Sequence, residues 1–155
     1  MPEPDPFVFP GYLFAPGLLG AAILVAMGLY FALMPPGPNA WAGMRLSWTY
    51  ADKGIWYETQ RLTGWLLLAS GVGFVVWLPV AMALLIGMAV VGIVYARGRY
   101  LAKYGTTKVW RGPKGMGDYR PVAKCANCGH LNELERGAEL ALTRCEMCRH
   151  SLARQ

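Results

Sequence analysis

The segment from Leu62 to Ala96 constrains the fold more than any other part of the chain. Its 35 residues include no Asp, Glu, Lys, Arg or His. As one helix it would be about 52 Å long at 1.5 Å per residue. The hydrocarbon core of a bilayer is only roughly 30 Å thick. Pro79 lies near the midpoint, so the segment is predicted to form a tight hairpin of two spans, 62–78 and 80–96.

A second long apolar run, residues 12–34, is closed by three prolines and predicts a further span. The chain is 55% hydrophobic and 15% charged, with a mean hydropathy of +0.30, well above a typical soluble domain. A buried hairpin of a soluble protein is the alternative, but no amphipathic segment is long enough to cover it. We therefore predict an all-α integral membrane protein in which residues 1–100 form three transmembrane helices.

The distribution of basic residues predicts the orientation in the membrane. No Lys or Arg precedes Met34, residues 35–61 contain three, and the tail from Arg97 onward contains the other twelve. The positive-inside rule places such a tail in the cytoplasm. The prediction is a multi-pass protein of the cell membrane, with its N-terminus outside, its 35–61 loop inside and its C-terminal tail in the cytoplasm.

The predicted spans contain no ionisable side chain, so they lack the groups of a proton or ion relay. Both histidines lie in the tail, which also excludes haem ligation by two histidines within the membrane. Small residues recur four apart, a spacing that lets helices approach closely. Such residues could serve packing within the monomer or an oligomer interface. The pairs are Ala22 and Ala26, Ala69 and Gly73, and Ala83 and Gly87.

Between the first two spans lies the polar and aromatic sequence RLSWTYADKGIWYETQRLTG, residues 45–64. Asp52 is predicted to cap a helix that starts at Lys53 or Gly54 and continues into the second span. Helical spacing gives that helix two distinct faces. One carries Trp56, Gln60 and Thr63, and the other carries Tyr57, Arg61 and Trp65. By composition alone, this segment is an ordinary interfacial anchor.

The order of residues in this region resembles the SdpI immunity-protein family. The family loop reads roughly N-P-W-x-G-I-R-T-P-W-T and then W-x-x-T-H-R-x-x-G, before a close pair of membrane helices. The resemblance covers about Asn39 to Tyr100. The chain departs at Ala40, at Leu46-Ser47 and at Gln60, which replaces the family histidine. The matching residues are Asn39, Trp41, Gly43, Arg45, Trp48, Thr49, Trp56, Thr59, Arg61 and Gly64.

The resemblance implies a non-enzymatic membrane protein whose relatives confer immunity to a secreted toxic peptide and can hold a regulator at the membrane. Its motif implies a site at Asn39, Gly43, Arg45, Trp48, Trp56, Thr59, Gln60, Arg61 and Gly64. Arginine forks suit a carboxylate or phosphate, and tryptophans supply rigid contact area. Loss of the histidine removes protonation-dependent work, whereas Gln60 retains the capacity for hydrogen bonding. The sequence contains no recognisable catalytic constellation, so no enzyme is expected.

Beyond the third span we predict a basic, Gly/Pro-rich linker over residues 101–120 and a zinc-ribbon-like tail over residues 121–155. All four cysteines lie there in two Cys-x2-Cys pairs, a spacing typical of a structural Zn²⁺ site. The predicted ligands are Cys125, Cys128, Cys145 and Cys148. His130 and His150, each two residues beyond a pair, are the alternative ligands.

The tail also defines an alternative function. In this interpretation the spans only anchor the chain, and the zinc ribbon is an adaptor that recruits a cytoplasmic protein or nucleic acid. The tail has a net charge of +7 but no recognisable base-reading module, which disfavours nucleic acid. The expected partners are therefore the lipid bilayer, a toxic peptide for the loop and a cytoplasmic protein for the tail.

Overall fold

The computed structural model describes residues 11–39, 41–76, 78–113 and 118–153. Within these residues the chain is mostly helical and ends in a small antiparallel sheet. The elements in chain order are α1 (Gly11–Leu33), α2 (Ser47–Ala51), α3 (Lys53–Val76), α4 (Leu78–Tyr104), β1 (Val109–Arg111), β2 (Tyr119–Lys124) and β3 (Leu131–Glu133).

Glycines allow α1 and α3 to pack closely in an antiparallel pair. A Cβ atom on Gly28 would lie 2.5 Å from the backbone nitrogen of Leu68, and one on Gly64 would lie 2.5 Å from that of Ala32. Both distances are far below van der Waals contact, so the two backbones touch at this crossing. The residue pairs with small-residue spacing in the sequence are not at this contact. No atom lies within 4 Å of a Cβ built on Gly87.

Helices α3 and α4 form the second antiparallel pair, as the central proline predicts. Pro79 is the second residue of α4, in the first turn, where its missing N–H leaves no helical hydrogen bond unmade. Along the pair, Gly73 lies near Ala81, and Gly92 lies near Thr63. At the far end, Arg99 forms a bidentate ion pair with Glu58, at 2.7 and 2.8 Å.

The described helices differ in how well they suit a bilayer. In the part of the chain that the structure describes, the segment Pro79–Tyr104 is long and apolar enough to cross a membrane. Gly17–Leu33 is a shorter apolar helix. Helix α3 begins at Lys53, before its apolar part starts at Leu62, and this first stretch carries Lys53, Glu58 and Arg61. The three-span arrangement therefore remains a prediction.

The C-terminal tail is continuous with the helices. Residues 101–120, predicted as a linker, contain the end of α4, strand β1 and the start of β2. The described part of this segment therefore has secondary structure, in which Trp110 pairs with Arg120 and Arg111 with Tyr119. Strand β2 also pairs with β3, which gives the order β1-β2-β3.

One hydrophobic core joins the helical part to the tail. From the helices it takes Ala51, Ile55, Ala96, Tyr100 and Tyr104, and from the tail Ala123, Cys125, Leu134, Cys145 and Leu152. Tyr100 also links the two parts by hydrogen bonds, since its hydroxyl donates to the Lys108 carbonyl and accepts from the Val122 amide. The tail is thus packed onto the cytoplasmic ends predicted for α3 and α4.

Candidate functional site: a buried loop frame and a four-cysteine centre

Gln60 holds the loop that precedes α2. Its side chain is fully buried, and its Oε1 accepts a hydrogen bond from the Met44 amide at 3.2 Å while its Nε2 donates to the Met44 carbonyl at 3.4 Å. Gly43 makes this contact feasible, because its φ is +98° and a Cβ there would lie 2.4 Å from Oε1. The hydrogen-bonding role considered for Gln60 is therefore observed in the structure.

Trp56 and Asn39 fix the first part of the same loop. The indole N–H of the fully buried Trp56 donates to the Pro36 carbonyl at 2.8 Å. Asn39 accepts hydrogen bonds from the amides of Trp41 and Ala42 through its Oδ1, and it donates to the Gly37 carbonyl. Such local bonds from Asn replace the backbone partners that an irregular segment lacks.

Thr49 and Trp48 connect α2 to its surroundings. The Thr49 hydroxyl is buried, accepts from the Leu46 amide at 3.1 Å and lies 2.8 Å from the Leu46 carbonyl, so it closes the start of α2. The Trp48 indole N–H donates to the carbonyl of Thr107, in the turn between α4 and β1. Trp48 therefore ties the loop to the tail, although the sequence suggested a contact surface for a partner.

Two further motif residues are inside the fold. Gly64 forms the close crossing with α1 described above, which explains a glycine at that position. Thr59 is fully buried in α3, and its Oγ1 has no hydrogen-bond partner among the described residues. Neither Trp56 nor Thr59 has exposed side-chain area, so the contact area that the resemblance implies for Trp56 is not at the surface of this structure.

The motif residues with exposed side chains are Trp41, Arg45 and Arg61. Trp41 is 93% exposed, an unusual position for so large an aromatic side chain. Arg61 lies on the outer face of α3, between the exposed rings of Tyr57 and Trp65 one turn to either side. The two helix faces predicted from the spacing are thus confirmed, one buried and one exposed.

Asp52 joins three elements at the end of the helical pair. Its Oδ1 accepts from the Gly54 and Ile55 amides at 2.7 and 3.2 Å, which confirms the predicted cap of α3. Its Oδ2 accepts from Lys103 Nζ and from the Tyr104 hydroxyl, each at 2.6 Å. Burial of Asp52 opposes ionisation, but these hydrogen bonds outweigh it and lower its pKa. The sequence analysis identified the cap but missed Lys103 and Tyr104, whose signal was a basic residue in the last turn of α4.

The four cysteines form a single cluster at the far side of the shared core. Their Sγ atoms all lie within 4.8 Å of one another, with Cys125 to Cys148 at 3.6 Å and Cys128 to Cys145 at 3.5 Å. A disulfide needs about 2.05 Å, whereas a tetrahedral ion with bonds of about 2.3 Å separates its sulfur ligands by about 3.8 Å. The cluster therefore has the geometry of a four-thiolate metal centre.

Two matching knuckles build this centre. In the first, the Cys125 amide donates to the His130 carbonyl and the Gly129 amide donates back to the Cys125 carbonyl. In the second, Cys145, Arg149 and His150 repeat this pattern. Gly129 and Arg149 occupy equivalent positions with φ of +75° and +59°. The histidines contribute backbone carbonyls, and the sulfur cluster is complete without their rings.

The buried side chain of Asn132 connects the knuckles. Its Oδ1 accepts from the Glu146 amide, in the second knuckle, and its Nδ2 donates to the His130 carbonyl, in the first. The pairing of β2 with β3 places Asn132 opposite Ala123, directly before the first knuckle. A buried side-chain amide with both ends bonded is costly to replace, so these two bonds of Asn132 help to hold the knuckles together.

These features define a helical, membrane-type protein with a small cysteine-rich ribbon. Residues 37–96 match the model of the SdpI/YfhL protein family, so the resemblance found in the loop is confirmed for that segment. The family is one of non-enzymatic membrane immunity proteins. The match ends at Ala96 and does not include the ribbon. No curated protein and no solved structure matches the chain.

Proposed function

We propose that the chain is a multi-pass protein of the cell membrane that confers immunity to a toxic peptide through the exposed part of its SdpI-type loop. In this proposal α1, α3 and α4 cross the bilayer, and the loop and ribbon face the cytoplasm. Arg45 and Arg61 provide planar guanidinium groups for an anionic group of the peptide, and Trp41 provides contact area.

The observation that carries this proposal is the division of the motif into a buried frame and an exposed remainder. The loop backbone is hydrogen-bonded by the side chains of Gln60, Trp56 and Asn39, and these bonds specify its shape. Trp41, Arg45 and Arg61 are exposed beside it. A buried frame that presents a few charged and aromatic side chains is the arrangement expected of a binding loop on a rigid scaffold.

The immunity role is tested by survival of cells that express the protein when they are challenged with membrane-active toxic peptides of competing strains. We expect protection that is lost in Arg45→Ala and Arg61→Ala and kept in Arg144→Ala, which removes an equal charge from the exposed surface of the ribbon. Membrane-inserted amounts are compared first. Equal protection by all four proteins, or by none, would contradict the proposed site.

The topology has its own test, independent of any toxin. A cysteine in place of Trp41 is exposed in the fold, so a membrane-impermeant thiol reagent reaches it only from the side of the membrane where the loop lies. We expect labelling above that of the unsubstituted protein, whose exposed Cys128 also reacts, after the cells are opened, and none in intact cells. Labelling of intact cells would place the loop outside and reverse the proposed orientation.

We further propose that the cysteine centre binds one structural Zn²⁺. Four thiolates at these separations satisfy its preferred tetrahedron and leave no open position for catalysis. The tail buries little apolar surface of its own, and a bound ion would supply the stability that so small a segment lacks. The ion would hold the two knuckles together beneath Tyr100 and Tyr104, and thereby support the loop through Trp48.

A second candidate function follows from the outer surface of the ribbon. Leu142 and Met147 are 79% and 72% exposed, and exposed apolar side chains of this kind suit a protein partner. In this alternative the ribbon recruits a cytoplasmic protein and the helices anchor it. Leu142→Ser with Met147→Ser would then abolish function and leave the metal content unchanged, whereas Arg45→Ala would have no effect.

A further inference from the structure

The β1–β2 hairpin presents basic and aromatic side chains close to the predicted end of the third span. Lys108, Arg111 and Arg120 are exposed on it. The Arg120 guanidinium lies 4.9 Å from the centre of the Trp110 ring, and that of Arg111 lies 6.0 Å from the Tyr119 ring. Asp118 is the acidic group beside them, 3.7 Å from Arg120, so the described hairpin keeps a net positive charge.

The packing of the hairpin sets its height above the apolar segment. Its first residues are held by Tyr100, whose hydroxyl bonds to the Lys108 carbonyl and the Val122 amide. Tyr100 is four residues beyond Ala96, which is about 6 Å along a helix. The headgroup layer on each side of a bilayer is about 5 to 8 Å thick. The hairpin therefore lies at the level of the headgroups if α4 crosses the membrane as proposed.

Three contacts keep the hairpin in this place. Trp48 donates to the Thr107 carbonyl directly before β1, and the Tyr119 ring stacks on the Tyr50 ring with centroids 6.1 Å apart. Strand β2 continues into the shared core through Ala123. The basic side chains are thus carried by an element that is fixed to the end of α4 and to the loop, unlike those of a flexible linker.

We propose that the β1–β2 hairpin binds the anionic headgroups of the cytoplasmic leaflet. Lys108, Arg111 and Arg120 supply the charge, and Trp110 supplies the amphipathic ring that suits the interface. Because the hairpin also contacts Trp48 and Tyr50, anionic lipid would hold the ribbon and the SdpI-type loop in one orientation to the membrane. This inference rests on the proposed membrane topology of α4.

The test uses the full chain loaded with zinc and reconstituted into vesicles that carry a nitroxide quencher in the headgroup. Vesicles of phosphatidylcholine alone are compared with vesicles containing about one-third phosphatidylglycerol. The fluorescence contribution of Trp110 is obtained as the difference between the protein and its Trp110→Phe variant. We expect at least about twofold stronger quenching of this contribution with phosphatidylglycerol, and loss of the gain in about 1 M salt, where the Debye length is about 3 Å.

Matched variants separate the hairpin from general charge. Arg111→Gln with Arg120→Gln should abolish the gain, and Lys108→Gln should reduce it. Arg144→Gln removes the same charge as Lys108→Gln, but from the ribbon, and should preserve the gain. Equal quenching of Trp110 in both vesicles would overturn the proposal. The proposal would also be overturned if a single-stranded oligonucleotide changed the Trp110 fluorescence in phosphatidylcholine vesicles while phosphatidylglycerol gave no gain in quenching. That result would indicate that the hairpin binds nucleic acid.

A failed membrane topology has a different signature. Trp65 lies on the exposed face of α3 near the predicted interface, and its contribution, obtained with Trp65→Phe, is expected to be quenched in both vesicles. If the Trp65 contribution is quenched and that of Trp110 is not, the hairpin proposal alone is wrong. If neither is quenched, both the topology and the hairpin proposal are wrong.

Discussion

The side-chain amide of Gln60 bonds to both the amide and the carbonyl of Met44, at 3.2 and 3.4 Å. The Gln60 side chain, on α3, thus makes the two hydrogen bonds that a neighbouring β-strand would make with one residue of the loop. The family histidine at this position cannot donate and accept in the same way from one edge of its ring. The substitution therefore changes how the loop is held but still pairs its backbone.

Replacement of Gln60 should loosen the loop. Gln60→Leu keeps most of the volume but leaves the Met44 amide without its partner, whereas the Met44 carbonyl still accepts from the Thr49 hydroxyl at 3.1 Å. An unpaired backbone amide costs about 1 to 3 kcal/mol when it is buried. We expect a lower midpoint of thermal unfolding in detergent, measured by circular dichroism. Gln60→His should lose less, because one bond can be kept. Arg61→Gln, one residue further on the exposed face, is the control and should change stability by less than about 0.5 kcal/mol.

The crossing of α1 and α3 should not tolerate a methyl group. Gly64→Ala places a Cβ 2.5 Å from the Ala32 nitrogen, so the helices must separate, at a cost of about 1 to 3 kcal/mol or more. Gly87→Ala is the matched control, because that position is open and alanine favours a helix by up to about 1 kcal/mol. Thermal unfolding of both variants measures the difference. Equal stability of the two would show that this crossing is absent in the bilayer.

The stability of the protein should fall in acid through Asp52. Its folded pKa lies below the ordinary value of 3.8, so its contribution is complete above that pH and is lost as the pH falls through the lower folded value. Asp52→Asn keeps a cap for α3 but loses the charge that faces Lys103, and we expect a cost of about 2 kcal/mol, between exposed and fully buried pairs. Unfolding in urea at neutral pH and near pH 3 should show a smaller pH dependence in the variant.

Loss of the metal should affect the helical part as well as the ribbon. If the centre holds zinc as proposed, Cys145→Ser or a strong chelator is expected to remove the ion and to speed hydrogen exchange at the end of α4 around Tyr100, because Tyr100 and Cys145 share one core. Metal analysis and exchange mass spectrometry measure the two effects.

Two controls define the ligands and the coupling. His130→Ala and His150→Ala should retain the metal, since only the backbone carbonyls of these residues enter the knuckles. Loss of zinc in either variant would indicate that the substituted histidine is a metal ligand. Rapid exchange in the ribbon with unchanged exchange at Tyr100 would instead show that the tail and the helices fold separately.

Local features were predictable from the sequence because their causes lie within a few residues. The cap at Asp52 precedes the amides it bonds by two and three positions, and the two faces of α3 follow from the helical period. The spacing of the cysteines likewise predicted the cluster. The loop motif indicated the SdpI/YfhL segment, but it did not separate the residues that build the loop from those it exposes.

Long-range contacts were decided by the tertiary structure. Lys103 is 51 residues from Asp52, and Trp48 is 59 residues from the carbonyl it bonds. Many basic and carbonyl groups could fill such roles, and the choice depends on how α3 and α4 align. The same holds for Gly28, which resembles any glycine of an apolar run until α3 is placed against it.

By itself, then, the sequence determined the apolar helices, the cap of α3 at Asp52 and the cluster of four cysteines, since helical periodicity and short-range hydrogen bonds depend on neighbouring residues. Only the tertiary structure decided that the ribbon shares a core with the helices and that Val109–Arg111 and Tyr119–Lys124 pair as strands. It also decided that Trp56 and Gln60 are buried while Arg45 and Arg61 are exposed. The reason is that burial is a property of surfaces brought together from distant parts of the chain.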